Sequence, residues 1–146
     1  MVESNPSRRH RYTLGERAWW TSCVFRATRA YASSNGRIRQ LLGVGADELL
    51  EEQDVLRAVK IIHERFPITW FKDISSAARN IQLREVSQKA REVLAAGRTD
   101  LSQSTLEARR VLGIEYEDTT TKRHPALVEL EGFLFANYDK AVGVSK

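Results

Sequence analysis

Residues 13–36 read TLGERAWWTSCVFRATRAYASSNG, and this stretch decides the fold class. Thr13 and Glu16 have the Ser/Thr-x-x-Glu spacing of a capping box, in which each side chain satisfies the other residue's free backbone N–H. Leu14, Ala18, Thr21, Phe25, Thr28 and Ala32 then recur at helical spacing, so an amphipathic helix is expected. Ser33-Ser34-Asn35-Gly36 reads as its end, with Gly36 as a left-handed cap. The stretch holds no alternating strand pattern.

The same punctuation continues outward. Arg37–Leu42 reads as a short helix stopped at Gly43. The acidic link GVGADELLEEQD (43–54) is expected to hold one helical turn and to end on Asp54 as an N-cap. Val55, Val59, Ile62 and Phe66 give the next helix one buried face, and Pro67 stops it. A long helix is expected from about Thr69 to Ala96, closed by Gly97. Its apolar stripe runs through Trp70, Ile74, Ala77 and Ile81, then shifts to Leu83, Val86, Ala90 and Val93. Such a shift implies different partners at the two ends or a kink near Ile81–Leu83. Ser104 and Glu107 form a second capping box, opening a helix that Gly113 is expected to close. Residues 113–124 (GIEYEDTTTKRH) read as a polar loop. Pro125 opens a last helix with Leu127, Leu130, Leu134, Tyr138 and Ala141 on one face.

The expected fold is therefore all-α: a single irregular helical domain of five to six helices (13–146) behind an extended basic arm (1–12). With 146 residues the chain is one domain by length. Sparse Gly (8) and Pro (3) argue against a turn-rich β-sandwich. The single cysteine, Cys23, makes no internal disulfide and reads as a small buried hydrophobe. The longest apolar runs, 18–25 and 133–136, are too short to span a bilayer. No apolar core follows the basic start, so a secretory signal is not expected.

Charge is segregated. Residues 1–46 carry eight Arg against Glu3 and Glu16, a net +6, whereas the remainder is −2. A basic start of this kind suits a nucleic-acid arm, an organelle-targeting segment or a tail that docks on an acidic partner.

Candidate chemistry is thin. His10, His63 and His124 are isolated, and no C-x-x-C or H-x-x-x-H pair occurs. Gly43-Val44-Gly45 follows a helix and lacks the Lys of a phosphate cradle. Asp47-Glu48 and Glu51-Glu52 are adjacent pairs, which point to different sides of a helix and suit a solvated acidic face. No catalytic residue, metal site or cofactor is expected. Trp19 and Trp20 differ by about 100° around a helix. One of them is thus a candidate anchor for another protein.

Residues 29–92 resemble the ubiquinol-binding-protein family, the 14 kDa subunit (subunit 7) of the mitochondrial cytochrome bc1 complex. Gly36, Arg39, Leu42, Gly43 and Val44 fall on that family's Gly-x-x-(Lys/Arg)-Leu-Gly-Leu turn, with one extra residue. Asp47 and Glu48 match its paired acid. Glu51, Glu52, Asp54 and Val55 match its acidic lead-in, and Arg65, Phe66 and Pro67 match its helix end. The segment 97–146 would be a C-terminal extension beyond the family-like part. The resemblance implies a non-catalytic accessory subunit of complex III, peripheral on the matrix side of the inner membrane, touching cytochrome b and the core proteins. The Arg-rich, acid-poor start suits mitochondrial import, as a retained signal. Expected contacts are Arg8, Arg9 and Arg11, Trp19 and Trp20, and Asp47 and Glu48, with anionic lipid headgroups as further partners of the bases. Neither nucleic acid nor a membrane-spanning segment belongs to this expectation. Two rivals stand beside it. One is a Leu-Tyr-Arg-type accessory subunit, echoed by Val24-Phe25-Arg26 and Val55-Leu56-Arg57. The other is a small basic helical nucleic-acid-binding protein using residues 8–39.

Overall fold

The computed structural model describes residues 12–97, 100–119 and 124–141. These residues form six helices and no strand. They are α1 (Leu14–Ser33), α2 (Gly36–Leu42), α3 (Glu52–Arg65), α4 (residues 67–95), α5 (Leu101–Thr119) and α6 (Pro125–Ala141). The all-α expectation therefore holds. The arm lies outside the described residues except for Tyr12.

The opening capping box is present: Glu16 N–H donates to Thr13 Oγ1 at 3.0 Å and Thr13 N–H to Glu16 Oε1 at 2.9 Å. α1 is the axle of the fold and touches every other helix. From Ala18 to Thr28 it is buried on nearly all sides, through Ala18, Trp19, Thr21, Cys23, Val24, Phe25, Ala27 and Thr28. It is thus a core helix and not the one-faced helix of the sequence pattern. Leu14, placed on the expected apolar stripe, is exposed.

α3 buries Val55, Val59 and Ile62 completely, as its stripe implies. Pro67 ends it and serves as the first residue of α4. α6 starts at Pro125 and buries Leu127, Leu130 and Leu134. Each large side chain so buried contributes about 1.5–3 kcal/mol relative to exposure.

Several boundaries differ from the sequence reading. α1 ends at Ser34 with an ordinary negative φ, and Gly36 is not left-handed. Instead Asn35 caps α2 by accepting the Ile38 N–H at 2.9 Å. Gly43 (φ 74°) closes α2 in the left-handed region, as expected. The acidic link contains a turn at residues 46–47 and no helix before Glu52. α3 begins earlier than expected, because Asp54 acts from inside the first turn, where its carboxylate accepts the Glu51 N–H at 2.9 Å. α4 does not break at Ile81–Leu83. Its irregularity is a π-helical segment, Trp70–Ser75, whose wider turn carries Trp70 and Ile74 into the core. The stripe shifts because the first turns of α4 meet α3 while its later turns meet α5.

α5 departs furthest. Asp100, not Ser104, caps it, accepting the Gln103 N–H at 2.8 Å. Ser104 is fully buried. α5 also runs through Gly113 to Thr119, so Tyr116 is helical and not part of a loop. The Gly113 carbonyl lies against α1 and demands a glycine at position 15. A Cβ placed on Gly15 of α1 would lie 1.9 Å from the Gly113 carbonyl oxygen, so the two helix backbones are in contact there.

Gly15→Ala is therefore expected to destabilise the protein by about 3 kcal/mol or more, since backbone must move to admit the methyl. Gly132→Ala, on exposed α6 backbone with open space around it, is expected to stabilise by about 0.5–1 kcal/mol. Urea denaturation of the two variants checks both signs.

Candidate functional site

The densest polar cluster joins α1, α4 and α5. Glu85 projects from α4. Its Oε1 accepts the Trp19 indole N–H at 2.9 Å. Its Oε2 accepts Arg26 Nη1 at 2.9 Å and the Tyr116 hydroxyl at 2.8 Å. Arg26 Nη2 also donates to the Tyr116 oxygen at 2.9 Å. The Trp19 and Tyr116 rings stack with centroids 6.2 Å apart. One carboxylate thus receives three side-chain donors, two from α1 and one from α5, and Arg26 and Tyr116 are bonded to each other.

Electrostatics fix these groups in single protonation states. Burial alone would raise the Glu85 carboxyl, but the hydrogen bonds from Arg26, Trp19 and Tyr116 outweigh it and hold it below the usual carboxylate range. Burial, helped by Glu85, pushes the Tyr116 phenol up to about 12. Burial likewise raises the neighbouring Cys23 thiol to about 12, so Cys23 is the inert, buried cysteine expected from sequence. Neither Glu85 nor Tyr116 sits near neutrality, where general acid–base work is most efficient. Beside the cluster an open cleft of about 540 Å³ runs between α4 and α5, lined by Glu85, Lys89, Glu92, Leu112, Glu115 and Tyr116 among others. Lys89 spans it, 3.3 Å from both Glu92 and Glu115. Among the described residues no group of three or more His, Cys, Asp or Glu converges as a metal ion requires.

The expected docking residues fall in different places. Arg8, Arg9 and Arg11 lie outside the described residues. Trp19 is 2 % exposed and belongs to the core. Trp20 is half-buried, and its indole N–H donates to the Tyr138 hydroxyl of α6 at 2.8 Å. Both adjacent indoles are satisfied inside the chain, because α1 has neighbours on both of the faces they occupy. Asp47 and Glu48 are exposed. Glu48 Oε1 accepts the Gly45 N–H at 2.8 Å and so shapes the turn.

That turn is held from within by Arg39, which is 8 % exposed. Its guanidinium donates to the carbonyls of Ser33, Gly45 and Glu48. Arg57 adds a bond to the Leu42 carbonyl at 2.9 Å. Arg39, Gly43, Glu48, Asp54 and Arg57 thus shape the connector between α1 and α3. Sequence reading missed Glu85, Arg26 and Tyr116 as a unit. Their separations of 59 and 31 residues leave no local spacing to detect, and Tyr116 was expected in a loop. No family model, curated protein or solved structure matches the chain.

Glu85→Ala is expected to cost about 2–3 kcal/mol, because it strips three donors of their shared acceptor. Glu129→Ala, which removes only an exposed ion pair with Lys60, is expected to cost below about 0.5 kcal/mol. Thermal unfolding of the two variants separates them.

The pH profile follows from the directions of shift. Tyr116 and Cys23 have folded pKa values raised above their ordinary 10.0 and 9.0. Their contribution is full below about pH 9 and is lost as pH rises toward about 12. Glu85 and Asp54 are lowered, Asp54 chiefly by the Glu51 N–H, so their contribution is lost as pH falls below the ordinary carboxylate range. His63 is lowered by burial between Trp70 and Phe133, against the opposing charge of Glu64. Its protonation below its ordinary 6.5 therefore destabilises the fold. Denaturant midpoints are expected to fall between pH 8 and 5.5, and His63→Phe to flatten that fall.

Proposed function

We propose that this chain is a non-catalytic helical subunit of a larger assembly, and specifically an accessory subunit of respiratory complex III, peripheral on the matrix side beside cytochrome b and the core proteins. The observation that carries the reading is the connector at residues 36–57. Among the residues that match the ubiquinol-binding-protein pattern, Arg39, Gly43, Glu48 and Asp54 are ones whose side chains and caps shape the path from α1 to α3. Residues whose role is backbone geometry suit a subunit whose work is shape. The Arg-rich, acid-poor N-terminal segment supports import into mitochondria. No helix among the described residues is long and apolar enough to cross a membrane, which is compatible with a peripheral place.

The polar cluster supports the same reading. Its groups are locked as structural donors and acceptors, and Trp19 and Trp20 serve the interior. Docking is therefore assigned to the exposed acidic turn at Asp47 and to the basic segment at Arg8, Arg9 and Arg11, not to the two indoles.

Purification of the tagged full-length chain from mitochondria in mild detergent, followed by mass spectrometry, tests the proposal. Cytochrome b and core-protein peptides are expected. Their absence overturns the complex III reading. An acyl carrier protein in their place favours the Leu-Tyr-Arg type. Nucleic acid binding that weakens steeply with added salt favours the third role.

A further inference from the structure

The six residues FPITWF (66–71) divide sharply at the junction of α3 and α4. Trp70 is buried and Phe66 half-buried, and they anchor the junction to the core. Ile68 and Phe71 point outward and are 69 % and 73 % exposed. They stand three residues apart at the start of α4, both outside the core. Three exposed bases accompany them. Arg65 and Lys72 flank them in sequence, and the Arg37 guanidinium of α2 lies 5.2 Å from the Phe66 ring. None of the three forms an ion pair among the described residues. Two exposed acids, Glu64 and Asp73, match Arg65 and Lys72 within residues 64–73, and Arg37 of α2 leaves one base in excess.

We infer that this corner is a membrane-surface contact, with Ile68 and Phe71 inserted at the headgroup boundary of an anionic bilayer and Arg37, Arg65 and Lys72 against its phosphates. Two apolar side chains at a corner flanked by cations have the composition of an interfacial anchor. They suffice for interfacial attachment, where apolar insertion and charge attraction add together. The charge sign selects the occupant: unpaired cations around an apolar tip match anionic lipid. The tip is also firmly backed. Pro67 fixes the start of α4, Trp70 and Ile74 hold the π-helical segment in the core, and the His63 ring meets Trp70 edge-on with centroids 5.1 Å apart. A rigid support keeps the two side chains presented before contact. The inference stands on this surface and does not require the complex III reading.

Co-sedimentation of the purified full-length chain with vesicles tests it. Phosphatidylcholine vesicles containing anionic phospholipid are expected to carry the protein down, and pure phosphatidylcholine vesicles are not. Ile68→Ser with Phe71→Ser is expected to weaken partitioning by about tenfold or more, with circular dichroism and melting temperature unchanged because both side chains are exposed. Arg37→Gln, Arg65→Gln and Lys72→Gln together are expected to abolish the preference for anionic vesicles. No sedimentation with anionic vesicles overturns the inference. So does undiminished sedimentation of the Ile68/Phe71 variant, which would place the contact elsewhere, such as at Arg8, Arg9 and Arg11. Loss of co-purified protein from that variant with vesicle binding intact overturns it in favour of a protein partner. The vesicle assay contains no respiratory subunit, so its outcome is independent of the pull-down.

Discussion

The Glu85 carboxylate is the point at which three helices are fastened together. Without it, the Trp19 and Arg26 donors of α1 and the Tyr116 hydroxyl of α5 would be left at a partly buried junction with no common acceptor. Helices α1 and α5 already touch backbone to backbone at Gly15 and Gly113. That contact sets how closely the two helices approach, and the Glu85 cluster adds directional bonds that fix their register against α4. On the opposite side of α1, the Arg17–Glu131 ion pair at 2.8 Å and the Trp20–Tyr138 hydrogen bond do the equivalent for α6. The core is thus organised around one helix whose polar side chains reach outward to its neighbours.

This arrangement bears on function through what it uses up. The side chains of the Glu85 cluster are committed to one another, and its shifted groups are held far from neutrality. A cluster of this kind resembles an active site in composition, with a carboxylate, a guanidinium, a phenol and a nearby thiol. Its protonation states distinguish it, since all four groups are held in one form across the physiological range. Among the described residues, the surfaces open to partners include the acidic turn at Asp47 and the apolar corner at Ile68 and Phe71.

Much of the architecture was legible in the sequence. Helix starts governed by local chemistry, at Thr13/Glu16 and Pro125, were readable because cap and partner lie within a few residues. The burial of α3 followed from its period. The errors share a cause. Gly113 and Ser104 were read through local propensity, whereas tertiary packing decides them: the Gly113 carbonyl lies against Gly15 within a continuous helix, and Ser104 is inside the core, while Gly36 gave way to the neighbouring cap Asn35. The two tryptophans were assigned to opposite fates because a helix on a surface has one buried face. α1 is not on a surface, and the high share of small residues along it, with Ala18, Ala27 and Ala32 at 4 % exposure or less, is the trace of that close packing in the sequence. The Glu85 cluster had no local trace at all.

The central structural claim is that α1 is the axle on which the other helices depend. Amide hydrogen exchange of the full-length chain, read by NMR or mass spectrometry, tests it most directly. Amides across residues 18–28 are expected to exchange last, with protection equal to global stability. Faster exchange in α1 than in α5 and α6 would contradict the account, since outer helices could not stay closed around an axle that had already opened.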